Sequence, residues 1–314
     1  MRLVCKTAVP VALENATVEW NQSENHARFI YEDICMKLSC LPVSFFSEII
    51  DGSMPVEEWA AMGESLGLEG IDLSILFLKS MEDSYLRRMR AGIEETGIHV
   101  VVLNTYPDLT HPDQAVREYE QEKLKAHIGA AGLLGAEMVR VTAGQAHPET
   151  DRSRGIEWAV EGLRAAAGWA DSSGVTAVYE NHSKPGVWQY PDFSYPSDIF
   201  LQIADHLGDT SLEILFDTAN PVSRGEDPLP ILKKVIDRVR CMHAADTATA
   251  QGLRPVLLGT GLVPFDDIFS FLKCSGYEGW ISIEEASGLG IRGVEEAVRF
   301  VRDGWNMAGG IHEA

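Results

Sequence analysis

From Met36 onward, short β-prone runs ending in polar residues alternate with amphipathic helical stretches, and a glycine closes several of the helices. This rhythm limits the fold more than any other feature, because repeated βα units favour a parallel sheet with helical crossovers. The strands are expected at 36–43, 71–75, 98–103, 136–142, 175–180, 212–217, 239–243 and 280–284. The helices are expected near 59–66, 85–95, 112–134, 151–170, 197–207, 228–236, 265–273 and 294–305, with Ser53 and Pro55 read as N-cap and first turn of the first. Eight strands and eight helices point to closure into a (β/α)8 TIM barrel. An open doubly wound sheet would carry a G-x-G-x-x-G turn after its first strand, and none stands there.

The first 35 residues lack this rhythm and show no clear period. They are read as an N-terminal extension, 1–35, ahead of a barrel domain, 36–314, for which Met36 would serve as a natural start.

The 314 residues suit one barrel, and a net charge of −21 repels phosphate backbones and anionic membranes. Five cysteines, an odd number with no C-x-x-C pair, fit a reduced compartment. No apolar run approaches the roughly 18 residues that span a bilayer. A cytoplasmic protein is expected, with a small-molecule substrate and no nucleic-acid or membrane partner. Pairing of barrel edges admits a homo-oligomer.

Four late strands end in metal-capable residues, Glu180, Asp217, His243 and Glu284. Side chains alternate in and out of a barrel with period two. Counting back from each end turns Val178, Leu215, Cys241 and Ser282 inward, and leaves Tyr179, Phe216, Met242 and Ile283 facing the helices. The four ends then converge on the barrel mouth, where barrel enzymes place their chemistry. Three carboxylates and one imidazole make a hard, oxygen-rich set suited to Mn2+, Mg2+ or Co2+, with Zn2+ as a further candidate. One acid at a strand end is ordinarily a solvated residue or a helix cap; four at one level argue for a shared ion.

Tyr-Glu-Asn-His at 179–182, Phe-Asp-Thr-Ala-Asn at 216–220, Met-His-Ala-Ala-Asp at 242–246, Leu-Gly-Thr-Gly-Leu-Val-Pro-Phe at 258–265 and Ile-Ser-Ile-Glu-Glu at 281–285 resemble the xylose isomerase-like TIM barrel superfamily. That group includes sugar isomerases, ketose 3-epimerases, inosose-processing enzymes and endonuclease IV. The resemblance covers about residues 37–308. It implies a metal held by Glu180, Asp217, His243 and Glu284, with Glu180 and Glu284 also acting as the acid/base pair. Asn220 stands where many relatives carry His, and Asp246 and Thr247 stand where they often carry Arg, the nearest being Arg254. Those positions bind substrate in the epimerases, so the differences speak against simple ketose epimerisation and leave the ligand set intact.

Other substrate-binding candidates lie close by. His182 and Lys184 follow Glu180 and could reach hydroxyls or a phosphate; a solvated loop is the alternative. Trp188 could cover the apolar face of a sugar ring or pack on its own barrel. Arg140 has inward phase and would bind substrate or neutralise the acidic site. Gly259 and Gly261 allow a close backbone approach or a plain tight turn. His111, His147 and His206 lack partners at useful spacing and are read as surface residues.

The leading functional reading is a metal-dependent isomerase or epimerase acting on a sugar, keto-sugar or cyclitol derivative through an enediolate. The alternative is a metal-dependent lyase on a 3-keto-glycoside. A phosphodiesterase of the endonuclease IV kind would need more metal ligands and a basic face. A non-catalytic binding barrel is the remaining reading.

Overall fold

Short aspartate-led turns launch three of the helices. Asp113, Asp151 and Asp227 each accept a backbone N–H from the first turn that follows, at 2.9 to 3.0 Å. Gly135 and Gly174 take the left-handed conformation after two of these helices, with φ of 70° at both, and turn the chain back into a strand. The computed structural model describes the backbone of residues 16–21 and 26–31, and all of residues 36–184 and 186–308.

The described elements run β1 (Ala16–Asn21), β2 (His26–Tyr31), β3 (Lys37–Leu41), α1 (Phe46–Asp51), α2 (Val56–Ser65), β4 (Gly70–Ser74), α3 (Asp83–Glu94), β5 (His99–Asn104) and α4 (Gln114–Leu134). They continue with β6 (Met138–Val141), α5 (Arg152–Ser173), β7 (Thr176–Glu180), α6 (Ser197–His206), β8 (Glu213–Asp217), α7 (Ala219–Val222), α8 (Pro228–Val235), β9 (Val239–Ala244), α9 (Phe265–Cys274), β10 (Trp280–Glu284) and α10 (Ile291–Met307).

Strands β3 to β10 form one parallel sheet of eight, in the order β3-β10-β9-β8-β7-β6-β5-β4. The circle closes between β3 and β4 without a regular ladder. Glu69 bridges that seam: its N–H donates to the Leu38 carbonyl at 2.9 Å, and its carboxylate accepts the Leu38 N–H at 2.8 Å. The architecture is the expected (β/α)8 barrel.

The sheet faces two cores. Val102, Met138, Val178, Leu215, Cys241 and Trp280 pack together inside the barrel. Tyr179, Phe216, Met242, Ile281 and Ile283 join the larger core between sheet and helices. Burying such side chains contributes roughly 1.5–3 kcal/mol each. The alternation read from the strand ends therefore holds, and it sends the last residue of β7, β8 and β10 to one rim.

Three local features differ from expectation. Residues 16–31 contain an antiparallel pair, β1 with β2, where no strand was expected; the rest of the 1–35 segment lies outside the described residues. Ser53 does not cap α2. Pro55 occupies the N-cap position, and the Ser53 hydroxyl instead donates to the Glu48 carbonyl in the first turn of α1. The short helices α1 and α7 were not expected, because pieces of six and four residues are too brief to show a helical period. Among the described residues no helix is long and apolar enough to cross a membrane.

Candidate metal centre and active site

The rim of β7 to β10 brings Glu180, Asp217, His243 and Glu284 together, each with one donor atom, all within 4.8 Å of one another. His243 Nδ1 lies 3.1 Å from Glu180 Oε1 and 3.3 Å from Glu284 Oε2. Glu180, Asp217 and His243 are each about 1% exposed, whereas the Glu284 side chain is 28% exposed and forms the open side of the cluster.

Backbone bonds hold these side chains at one level. Asn181 Nδ2 donates to the Asp217 carbonyl at 2.9 Å, and Asn181 Oδ1 accepts the Asp217 N–H at 2.7 Å, so the ends of β7 and β8 are pinned to each other. The Thr218 hydroxyl donates to the Ala245 carbonyl at 2.7 Å, tying β8 to the exit of β9. Asp217 and His243 are register partners.

Electrostatics mark the cluster as short of positive charge. Burial works to raise the Glu180 carboxyl, but the charges of Arg140, His182 and His243 outweigh it and hold Glu180 below the usual carboxylate range. Asp217 is pushed well above that range by burial and by the negative charges of Glu284 and Glu180. Burial opposes a charged His243, yet its hydrogen bonds to Asp72, Glu180 and Glu284 raise it well above an ordinary histidine. Both shifts run in the direction that excess negative charge produces, and a bound cation would oppose them. A hard divalent ion fits this donor set, with Glu180, Asp217, His243 and Glu284 as the residues that could hold it.

Arg140 lies under the cluster. Its Nη1 is 3.1 Å from Glu180 Oε2, its Nε donates to Asn104 Oδ1 at 3.0 Å, and its guanidinium stacks over the Tyr106 ring at 4.6 Å. Its charge is thereby set beside Glu180 in the interior of the barrel.

Asp72 was not singled out from the sequence. It sits on β4, fully buried, with Oδ2 accepting the Ser282 hydroxyl at 2.7 Å and lying 3.4 Å from His243 Nε2. The available signal was a carboxylate in the middle of the run Gly-Ile-Asp-Leu-Ser, flanked by two apolar residues.

The other candidates divide. His182 and Trp188 meet beyond β7, with ring centroids 6.0 Å apart and edge to face. Burial and then Arg140 draw His182 down to about 4, against the pull of Glu180 and Glu284, and its Nδ1 is 3.9 Å from Asp192 Oδ2. Burial pushes Asp192 up to about 8, although the Ser194 hydrogen bonds oppose it. Asn220 meets the site through its backbone, its N–H donating to Asp217 Oδ1 at 2.6 Å. Asp246 is occupied by the chain itself: its two oxygens accept the N–H groups of Thr247, Gly259, Gly261 and Val263 at 2.8 to 3.1 Å. Gly259 and Gly261 therefore serve a turn wrapped around a carboxylate. Lys184 and Arg254 are exposed, and no described hydrogen bond or ion pair ties either side chain to Glu180, Asp217, His243 or Glu284. His147, read as a surface residue, is only 11% exposed and pairs with Asp108 at 2.8 Å; that partner comes from another βα loop and is invisible in local spacing.

The family model of the xylose isomerase-like TIM barrel matches residues 60–304. The chain belongs to this family. Among curated relatives, a putative hydroxypyruvate isomerase of Streptomyces coelicolor is 28% identical over 76% of this chain and 88% of its own length. An inosose dehydratase of Bacillus thuringiensis is 29% identical over 41% of this chain and 47% of its own length. Among solved structures, an L-ribulose 3-epimerase superposes with a TM-score of 0.71 at 17% identity, covering 89% of this chain and 100% of the other. The 3-keto-D-glucoside 4-epimerase of E. coli superposes with a TM-score of 0.68 at 15% identity, covering 85% and 99%. Both structural likenesses speak to the barrel fold.

Proposed function

We propose that the chain is a divalent-metal-dependent isomerase or epimerase that moves a proton on a sugar, keto-sugar or cyclitol derivative through an enediolate. One observation carries this reading: three carboxylates and an imidazole converge within 4.8 Å at the barrel mouth. Mn2+ is the assigned ion, and Mg2+, Co2+ and Zn2+ also suit the donors. When bound, such an ion polarises a carbonyl or hydroxyl oxygen and acidifies the neighbouring C–H bond.

Glu284, the most accessible of the four, takes the proton from one face of the substrate carbon, and Glu180 returns a proton from the other face. Glu180 is the second acid/base position. His182 and Trp188 line the approach and bind the ring, Asn220 contacts the substrate from beside Asp217, and Lys184 and Arg254 bind from the outer loops. The likeness to an isomerase, a dehydratase and two epimerases supports proton transfer beside a carbonyl.

Incubation with a panel of ketoses, inososes and 3-keto-glucosides in D2O with Mn2+ tests the proposal. Deuterium entering both product and unconverted substrate is expected, with loss of both on chelation. Turnover of any of these without solvent exchange would overturn it.

A second reading, a lyase acting on a 3-keto-glycoside, draws on Arg140. With Glu180 Oε2 held at 3.1 Å by that guanidinium, Glu284 is the freer carboxylate. Elimination needs one base to remove the proton and an acid to protonate the departing group, whereas two-faced epimerisation needs a base on each side. Release of the leaving group from a 3-keto-glycoside, in place of an isomer of equal mass, identifies this reading.

A further inference from the structure

We propose that Asp72 is a positioning residue for the metal site, orienting His243 from behind; this inference rests on the metal-dependent reading above. β4 places Asp72 between Ile71 and Leu73, both buried in the core beneath the helices, so the alternation of the strand turns Asp72 into the barrel. There it is wholly removed from solvent.

Both ring nitrogens of His243 face carboxylates. Nδ1 faces Glu180 Oε1 and Glu284 Oε2, at 3.1 and 3.3 Å, and Nε2 faces Asp72 Oδ2 at 3.4 Å. A neutral imidazole offers one N–H and one lone pair. With the N–H directed at Asp72, the lone pair on Nδ1 is presented to the space between the carboxylates. With the opposite assignment, an N–H would fill that space and no ligand would remain.

Ser282 supports the arrangement. Its hydroxyl donates to Asp72 Oδ2 at 2.7 Å from the neighbouring position on β10, directly across the register from His243. The carboxylate is thereby fixed as an acceptor and its plane is held. Among the described residues neither Asp72 Oδ1 nor His243 Nε2 makes a hydrogen bond, so Asp72 Oδ2, bonded by Ser282 and 3.4 Å from Nε2, is the acceptor that a small turn of the ring would engage. A carboxylate behind a ligating imidazole fixes the ring and raises its donor strength.

Calorimetric Mn2+ titration of the full chain, with thermal melts in EDTA and in excess Mn2+, tests the assignment in wild type, D72A, D72N and S282A. In D72A, Mn2+ binding is expected to weaken by roughly 10- to 100-fold. D72N keeps the shape and one acceptor oxygen. It should melt near wild type in EDTA yet bind Mn2+ with an affinity between wild type and D72A. S282A should show a smaller loss of the same sign. The Co2+ absorption spectrum should shift in D72N, a change that a purely structural role would not produce.

Wild-type Mn2+ affinity and an unchanged Co2+ spectrum in D72N and S282A would overturn the role of Asp72 and leave the metal reading intact. Should D72A fail to fold, those two variants decide the matter. If the wild-type chain binds none of Mn2+, Mg2+, Co2+ or Zn2+, the metal reading itself falls, and the role of Asp72 falls with it.

Discussion

Arg140 Nη1 stands 3.1 Å from Glu180 Oε2, with the two side chains 2% and 1% exposed. Removing one member of a buried pair leaves the other as an unpaired buried charge, at a cost of roughly 3–5 kcal/mol. Arg140→Met should lower stability by about that amount in urea denaturation with EDTA present. Excess Mn2+ should restore part of the loss, because a cation beside Glu180 replaces the missing charge. Arg140→Lys should fall between the two, since it keeps a charge but loses the Nε bond to Asn104.

Glu284 is the most open carboxylate of the cluster, being 28% exposed where its neighbours are nearly closed off. Glu284→Gln preserves shape and removes the base. It should lower kcat by about 10²–10⁴-fold, with a melting temperature in EDTA close to wild type. Steady-state rates on whichever substrate the D2O panel identifies would check this.

The Asp217 carboxyl is raised by burial and by the charges of Glu284 and Glu180, so it holds a proton further up the pH scale than a free aspartate. A cation entering the cluster must displace that proton. Mn2+ affinity should therefore strengthen as pH rises and weaken as pH falls. Calorimetry in two buffers of different ionisation enthalpy should show proton release on binding.

His127, half-buried on α4, is lowered to about 4, by burial first and by Lys123 second. The unfolded chain takes up this proton near pH 6.5, whereas the folded chain resists it until about 4. Its contribution to stability is thus present above pH 6.5 and is lost as pH falls toward 4, by roughly 1–3 kcal/mol. His127→Gln should flatten this acid limb in melts between pH 7 and 4.5.

A Cβ at Gly261 would run into Asp246 Oδ1 and lie 2.6 Å from the Thr247 carbonyl. Gly261→Ala should therefore loosen the turn that Asp246 organises, costing roughly 1–3 kcal/mol. Limited proteolysis should then cut within residues 248–262 sooner than in the wild type.

The late strands were legible because each carries a metal-capable residue at or next to its end while the alternation behind it stays intact; Val178, Leu215 and Cys241 face inward as that pattern requires. Asp72 was not, since its partners Ser282 and His243 lie far along the chain and its own strand offers only one acid among apolar neighbours. Asp246 was read as a substrate contact for a related reason. A sequence shows a carboxylate near a site but not the four backbone N–H groups that occupy it. The short α1 and α7 escaped because neither spans enough residues to display a helical period, whereas β1, Ala16-Thr17-Val18-Glu19-Trp20-Asn21, alternates apolar and polar residues and was legible but passed over.

The cluster draws its four donors from β7 to β10, while Asp72 and Arg140 reach it from β4 and β6. One half of the chain supplies the grip and the other half the bracing. Were the polypeptide divided between β6 and β7, one piece would hold every donor and the other both braces. Tight retention of Mn2+ would then be expected only after the two pieces dock into a closed ring, which would make ion uptake a direct gauge of half-barrel reassembly.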